Sequence, residues 1–99
     1  MAIHRLVRPQ FAAGAEALVC VDGTRGVNKI RIQAPVTNSG RIYLGDAADM
    51  TPETAWGELP PGYTEWLGDE SYGNVLDVGA VYVLRETDGD QIRGAAFTR

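Results

Sequence analysis

The sequence predicts an all-β fold: one compact antiparallel β-sandwich or small barrel with long loops. Three observations carry that expectation. Apolar and polar residues alternate over 27–34, with Ile30 and Ile32 on one face and Lys29, Arg31 and Gln33 on the other, the period of a half-buried strand. Turn residues recur at short intervals, as Asp22-Gly23, Asn38-Ser39-Gly40 and Asp88-Gly89-Asp90. No window of helical length keeps apolar residues at i, i+3, i+4 and i+7 free of Gly and Pro. Short strands with such punctuation suit a sandwich or barrel.

The elements follow in order. Residues 1–14 read as an N-terminal arm or short edge strands, over 3–7 and 10–13, separated by Pro9. Residues 15–99 read as a single sandwich domain. Its first strand is the apolar run 15–21, ended by Asp22-Gly23. The alternating strand 27–34 follows, then a restart at 41–44 after the Asn-Ser-Gly turn. Segment 46–79 holds Pro52, Pro60, Pro61 and five Gly, so loops dominate it, with short strands near 63–67 and 74–77. Within it, Thr51 as a cap and Pro52 at the first helical position allow one helical turn over 51–56. Residues 80–85 are apolar on both faces, as a central strand requires, and 91–97 pair back across Asp88-Gly89-Asp90 as a hairpin.

Ninety-nine residues, 44% of them hydrophobic, make one domain with a thin core. Small domains gain stability from disulfides, metals or partner subunits. A single cysteine, Cys20, excludes an internal disulfide, and no Cys/His spacing suggests zinc, which leaves oligomerisation or docking on a larger body. No apolar run reaches membrane-helix length, and Arg5 and Arg8 interrupt any signal-peptide layout, so a soluble, non-secreted chain is expected. Residues 1–45 hold six basic and two acidic side chains, residues 46–99 three basic and eleven acidic, for a total of −4. An acidic chain without a dense basic cluster is not expected to bind nucleic acid. The asymmetry steers association with a partner or a second copy, unless the strands interleave the two halves.

Candidate chemistry is sparse. Cys20 sits between Val19 and Val21, and His4, the only histidine, lies on another predicted strand, so the thiol reads as structural. Glu58, Glu65, Asp69 and Glu70 lie near Trp56, Tyr63, Trp66 and Tyr72, the composition of a sugar-binding cleft, but a domain this small offers little groove for catalysis. Asp46 with Asp49, or Asp88 with Asp90, could offer oxygens to calcium, yet neither pair continues into an EF-hand pattern. No phosphate loop, nucleophile elbow or zinc spacing occurs. The expectation is therefore a non-enzyme with no catalytic residues, cofactor or metal. Two Trp and one Tyr over 56–67 exceed what a thin core absorbs; they either cap one end of the sandwich or anchor a partner.

Residues 27–45, VNKIRIQAPVTNSGRIYLG, resemble a small β-domain found repeatedly among bacteriophage virion structural proteins. In that pattern a strand ending near I-x-A precedes an Asn/Ser/Gly turn and an I-Y-[LV]-G strand. An L-x-P-G turn follows, matched by Leu59-Pro60-Pro61-Gly62, then a V-Y-V strand, matched by Val81-Tyr82-Val83, then a G-D-x-[IV] return, matched by Gly89-Asp90-Gln91-Ile92. The match spans about residues 27–97; the acidic loop 46–58 and Trp66 depart from it, and residues 1–14 lie outside it. The resemblance implies a head decoration or cement protein, or a minor capsid component, that binds the major capsid protein on the outer shell of the virion, without membrane or nucleic acid. It implies a homo-oligomer, a trimer first. Arg5, Arg8, Trp56, Tyr63, Trp66 and Tyr72 are then the candidate partner contacts. The alternative of another class is a carbohydrate-binding module of a tail fibre or baseplate.

Overall fold

A computed structural model describes residues 1–12, 14–68 and 75–99. The described residues form an all-β protein of three antiparallel sheets. The strands are β1 (Ala2–Arg5), β2 (Glu16–Ala17), β3 (Gly26–Val27), β4 (Lys29–Gln33), β5 (Ile42–Gly45), β6 (Gly57–Leu59), β7 (Thr64–Gly68), β8 (Leu76–Asp77), β9 (Tyr82–Arg85) and β10 (Arg93–Thr98). The first sheet runs β1-β10-β4-β7, the second β2-β9-β5-β6, and β3 pairs with β8 in a small third sheet. One hydrophobic cluster takes Ile30, Ile32 and Ala96 from the first sheet and Ile42, Leu44, Leu59 and Val83 from the second, so the two larger sheets share a core as a sandwich does.

Local chemistry accounts for most elements. The alternation of β4 survives intact: Ile30 and Ile32 are fully buried while Lys29, Arg31 and Gln33 stay partly exposed. β9 is central, between β2 and β5, which explains its apolar residues on both faces. Residues 51–55 form one helical turn, with the Thr54 and Ala55 N–H groups bonding to the Thr51 carbonyl at 3.0 Å. Asp77 caps a short 3-10 turn (Val78–Ala80) by accepting from the Gly79 N–H at 2.9 Å. The same carboxylate receives the Arg25 guanidinium at 2.9 Å, which ties β8 to the segment before β3.

Three expectations are corrected. β9 and β10 are not a hairpin: they belong to different sheets, and the 86–92 loop carries the chain across the sandwich. The cause is Asp90, which turns inward, is 95% buried (5% exposed), and accepts from the N–H groups of Ser39 at 2.8 Å and Gly40 at 2.7 Å. Residues 10–12 are not strand. Glu16 accepts from the N–H groups of Gln10 and Phe11, and Phe11 adopts a positive φ of 56° that sends its ring into the core, with the Arg85 guanidinium 5.1 Å from the ring centre. The run 15–21 keeps only β2 and an isolated bridge from Cys20 to Leu6.

Removing the Asp90 carboxylate strands two N–H donors beside a sheet crossover. Asp90→Ala is expected to lower unfolding stability by about 2–4 kcal/mol. The check is a urea titration in which the midpoint falls while the slope stays unchanged.

Candidate contact face

The outward side of the first sheet is assembled by register. Three rows cross it: Arg5, Ala95, Arg31 and Trp66; Ile3, Phe97, Lys29 and Gly68; and Arg93, Gln33 and Thr64. Neighbours in a row stand one strand spacing apart, about 4.8 Å, so their side chains form a continuous surface. The surface extends past β1. The Val7 N–H bonds to the Val19 carbonyl at 2.6 Å and the Val21 N–H to the Arg5 carbonyl at 2.8 Å, which adds Val7, Val19 and Val21 to the same side. Among the described residues no Asp or Glu side chain lies in these rows.

This face mixes exposed apolar and cationic groups. Ile3 is 63% exposed and Trp66 51%. Trp66 stacks on Phe97 with ring centres 5.9 Å apart, and the Lys29 ammonium lies 5.0 Å from the Trp66 ring centre. Of the sequence-predicted contact residues, the structure brings Arg5 and Trp66 into one row, and Arg8 lines a concavity with Arg5 beside it. Trp56 lies elsewhere, at the β6 margin of the second sheet, where its N–H bonds to the Leu44 carbonyl at 2.9 Å. Tyr63 precedes β7 and is exposed, with its carbonyl accepting from the Ala34 N–H. Tyr72, with the acidic residues Asp69 and Glu70, lies outside the described residues. Sequence reasoning missed Ile3, Arg31, Arg93 and Phe97. The signal was present in β4, whose outward positions are all polar and mostly cationic.

Cys20, His4, Asp22 and Asp90 are engaged in the structure. Cys20 is buried in the core, and that burial, with Asp22 nearby, pushes its thiol up, away from the thiolate a nucleophile needs. His4 bridges two partners: its Nδ1 faces Asp22 Oδ2 at 2.6 Å and its Nε2 faces the Thr98 hydroxyl at 2.9 Å. A carboxylate only accepts, so Nδ1 donates to Asp22, and in the neutral ring Nε2 accepts from Thr98. Hydroxyl, imidazole and carboxylate in that order also make an acyl-transfer triad. The concavities at the arginines, at Cys20 and at Trp56 are lined by none of the three, and here the chain of bonds fastens β1 to β10 and to the turn at Asp22. Among the described residues no group of three or more His, Cys, Asp or Glu is placed to hold a metal, and Asp90, of the suggested calcium pairs, spends its oxygens on Ser39 and Gly40.

Comparison with protein-family models, curated proteins and solved structures finds no match to this chain.

The His4 hydrogen bond, followed by those from the Thr24 N–H and hydroxyl, holds the Asp22 carboxyl down at about 2. A carboxyl whose folded value is depressed contributes stability above its unfolded value, near 4, and loses it as pH falls through about 2. Asp77, lowered by Arg25, acts in the same direction. Melting temperature is therefore expected to drop between about pH 4 and pH 2. Asp22→Asn is expected to flatten part of that drop, as read by circular dichroism across the pH series.

Proposed function

We propose that this chain is a capsid-decoration, or cement, protein of a bacteriophage particle. It sits on the outer shell, binds the major capsid protein and stabilises the shell by adhesion. The observation that supports this reading most is the outward face of the first sheet, where Ile3, Val7, Val19, Val21 and Trp66 stand exposed among Arg5, Arg31 and Arg93. A domain this small gains little from leaving such groups in water, and contiguous apolar surface of this kind marks a contact surface. Aromatic and arginine side chains carry most of the binding energy where they occur at interfaces.

Adhesion of this kind works by repetition. A protein with a rigid sheet face, present in many copies and joined as a homo-oligomer such as a trimer, meets several shell subunits at once. Each contact made raises the effective concentration for the next, so weak single interfaces sum to firm retention. Anything that binds the assembled shell but not its separated subunits stabilises the shell by mass action. The bonds of His4, which hold the edge strand β1 to β10, keep Ile3 and Arg5 in place for that contact.

A second reading, adhesion to host glycans, draws on Trp56, which lines a shallow concavity with Tyr43, Pro52 and Glu58. An aromatic ring beside a carboxylate is the composition that grips a sugar ring.

Co-sedimentation with particles separates the readings. Decoration predicts co-purification with particles in a ratio to the major shell protein that implies hundreds of copies. Ile3→Glu with Trp66→Glu is expected to weaken that binding by roughly a hundredfold while the strand signal in circular dichroism is kept. A handful of copies per particle, with retention on glycans abolished by Trp56→Ala, would favour the second reading and overturn the first.

A further inference from the structure

The rim of the first sheet opens into a concavity of about 650 Å³. Arg5, Arg8, Arg31 and Arg93 line it, and none of these four side chains engages a carboxylate among the described residues. Its apolar lining comes from Ile3, Leu6, Pro35, Ile92 and Ala95. Two of its lining residues each keep a buried polar atom without a hydrogen-bond partner among the described residues: Nε of Arg31, a donor, and Oε1 of Gln91, an acceptor. Buried polar atoms are rarely left so, because each orphan costs the desolvation it has already undergone. Four guanidinium groups brought together repel one another, and an anion between them relieves both terms at once.

We propose that this concavity binds a short acidic segment of a partner protein, in which carboxylate side chains alternate with apolar ones. The proposal deepens the adhesive reading above, on which it rests only in taking a protein as the occupant. Two features select a peptide over a nucleic acid. The apolar lining suits aliphatic side chains between the acids. Nucleic-acid strands bind by stacking bases on aromatic side chains along a basic track, and no aromatic residue is among the described residues that line this concavity.

The chemistry is that of paired guanidinium forks. Arg5 and Arg31 flank Ala95 on adjacent strands, and Arg93 lies two residues before Ala95 on the same strand, so successive acids of an extended segment meet successive arginines. Arg31, which stands between Ala95 and Trp66 in the row, receives one carboxylate through its guanidinium fork. Specificity then lies in the spacing of the acids as well as in their charge.

Fluorescence anisotropy with the full chain tests this. The probe is a short labelled peptide of alternating Glu and Leu, run beside a labelled poly-dT oligonucleotide of equal charge. The peptide is expected to bind saturably and to weaken as salt rises. Arg5→Ala with Arg93→Ala is expected to weaken it roughly tenfold or more, and the exposed Arg8→Glu to weaken it alone should the double variant fold poorly. Arg41→Ala, on the other sheet, is expected to leave binding unchanged. Tighter binding of the oligonucleotide, equal binding by the arginine variants, or no saturable binding of the peptide would each overturn the proposal. Peptide binding without particle occupancy would overturn the decoration reading alone. Particle occupancy indifferent to Arg5 and Arg93 would overturn the concavity alone.

Discussion

The buried carboxylate of Asp90 ties together two of the crossings of the sandwich. The chain passes from the first sheet to the second between β4 and β5, and from the second to the first between β9 and β10, two of the several points at which it changes sheet. The two connecting loops meet. Asp90 takes the N–H groups of Ser39 and Gly40, and Asn38 binds the main chain of Gln91 on both sides, donating to its carbonyl at 2.7 Å and accepting from its N–H at 3.0 Å. Side chains here replace the ladder bonds that a hairpin would have supplied, and they do so between segments about fifty residues apart in sequence. Burying a charge is costly unless its lone pairs are met, and the two N–H groups meet them.

That joint also builds the concavity. Pro35, Thr37 and Asn38 on one loop and Gly89, Gln91 and Ile92 on the other form one wall of it, while Arg5, Arg31 and Arg93 come from the sheet. The sheet contributes small residues in the middle of β10. Gly94 lies opposite Ile32, where an added Cβ would collide with the Arg31 carbonyl and press on Leu6. Its neighbour Ala95 faces outward yet is buried, because the longer Arg5 and Arg31 stand over it from both sides. Small residues in the middle of β10 thus let two cations approach from adjacent strands. Their repulsion is borne by a fold that the Asp90 joint holds together.

How much of this is legible in the sequence follows from which interactions are local. β4, β7 and the single turn at 51–55 could be read because alternation, Pro placement and a threonine pair act within a few residues. The positions of turns could be read for the same reason, as at Asp88-Gly89-Asp90. What that turn connects could not, because Asp90 is committed to Ser39 and Gly40 far along the chain. A hairpin and a crossover begin with the same words. The contact face was half legible for the same cause. Arg5 and Trp66 stand out by composition, but only the register of four strands sets them in a row with Arg31, and Trp56, adjacent to Trp66 in the sequence pattern, falls on the other sheet. Phe11, read as part of a strand, is fixed instead by a glutamate five residues on, whose carboxylate caps a positive-φ turn.

The outward face of the first sheet gathers cations from both sequence halves. The cations of the outward face come from both ends of the chain, since Arg93 belongs to the acidic half and Arg5, Lys29 and Arg31 to the basic one. The second sheet carries Glu16 on β2, Glu58 on β6 and Arg85 on β9, with Arg41 immediately before β5 and Asp46 and Glu86 immediately beyond β5 and β9. A molecule with net charge −4 and a cationic face is repelled by an acidic surface at long range and attracted at short range once correctly turned. On the proposed reading the field favours approach by the first sheet, which brings the arginines and the exposed apolar groups to the surface together. On the decoration reading proposed above, retention rests on a stiff face, one preferred orientation and many copies, and the shared core with the Asp90 joint supplies the stiffness.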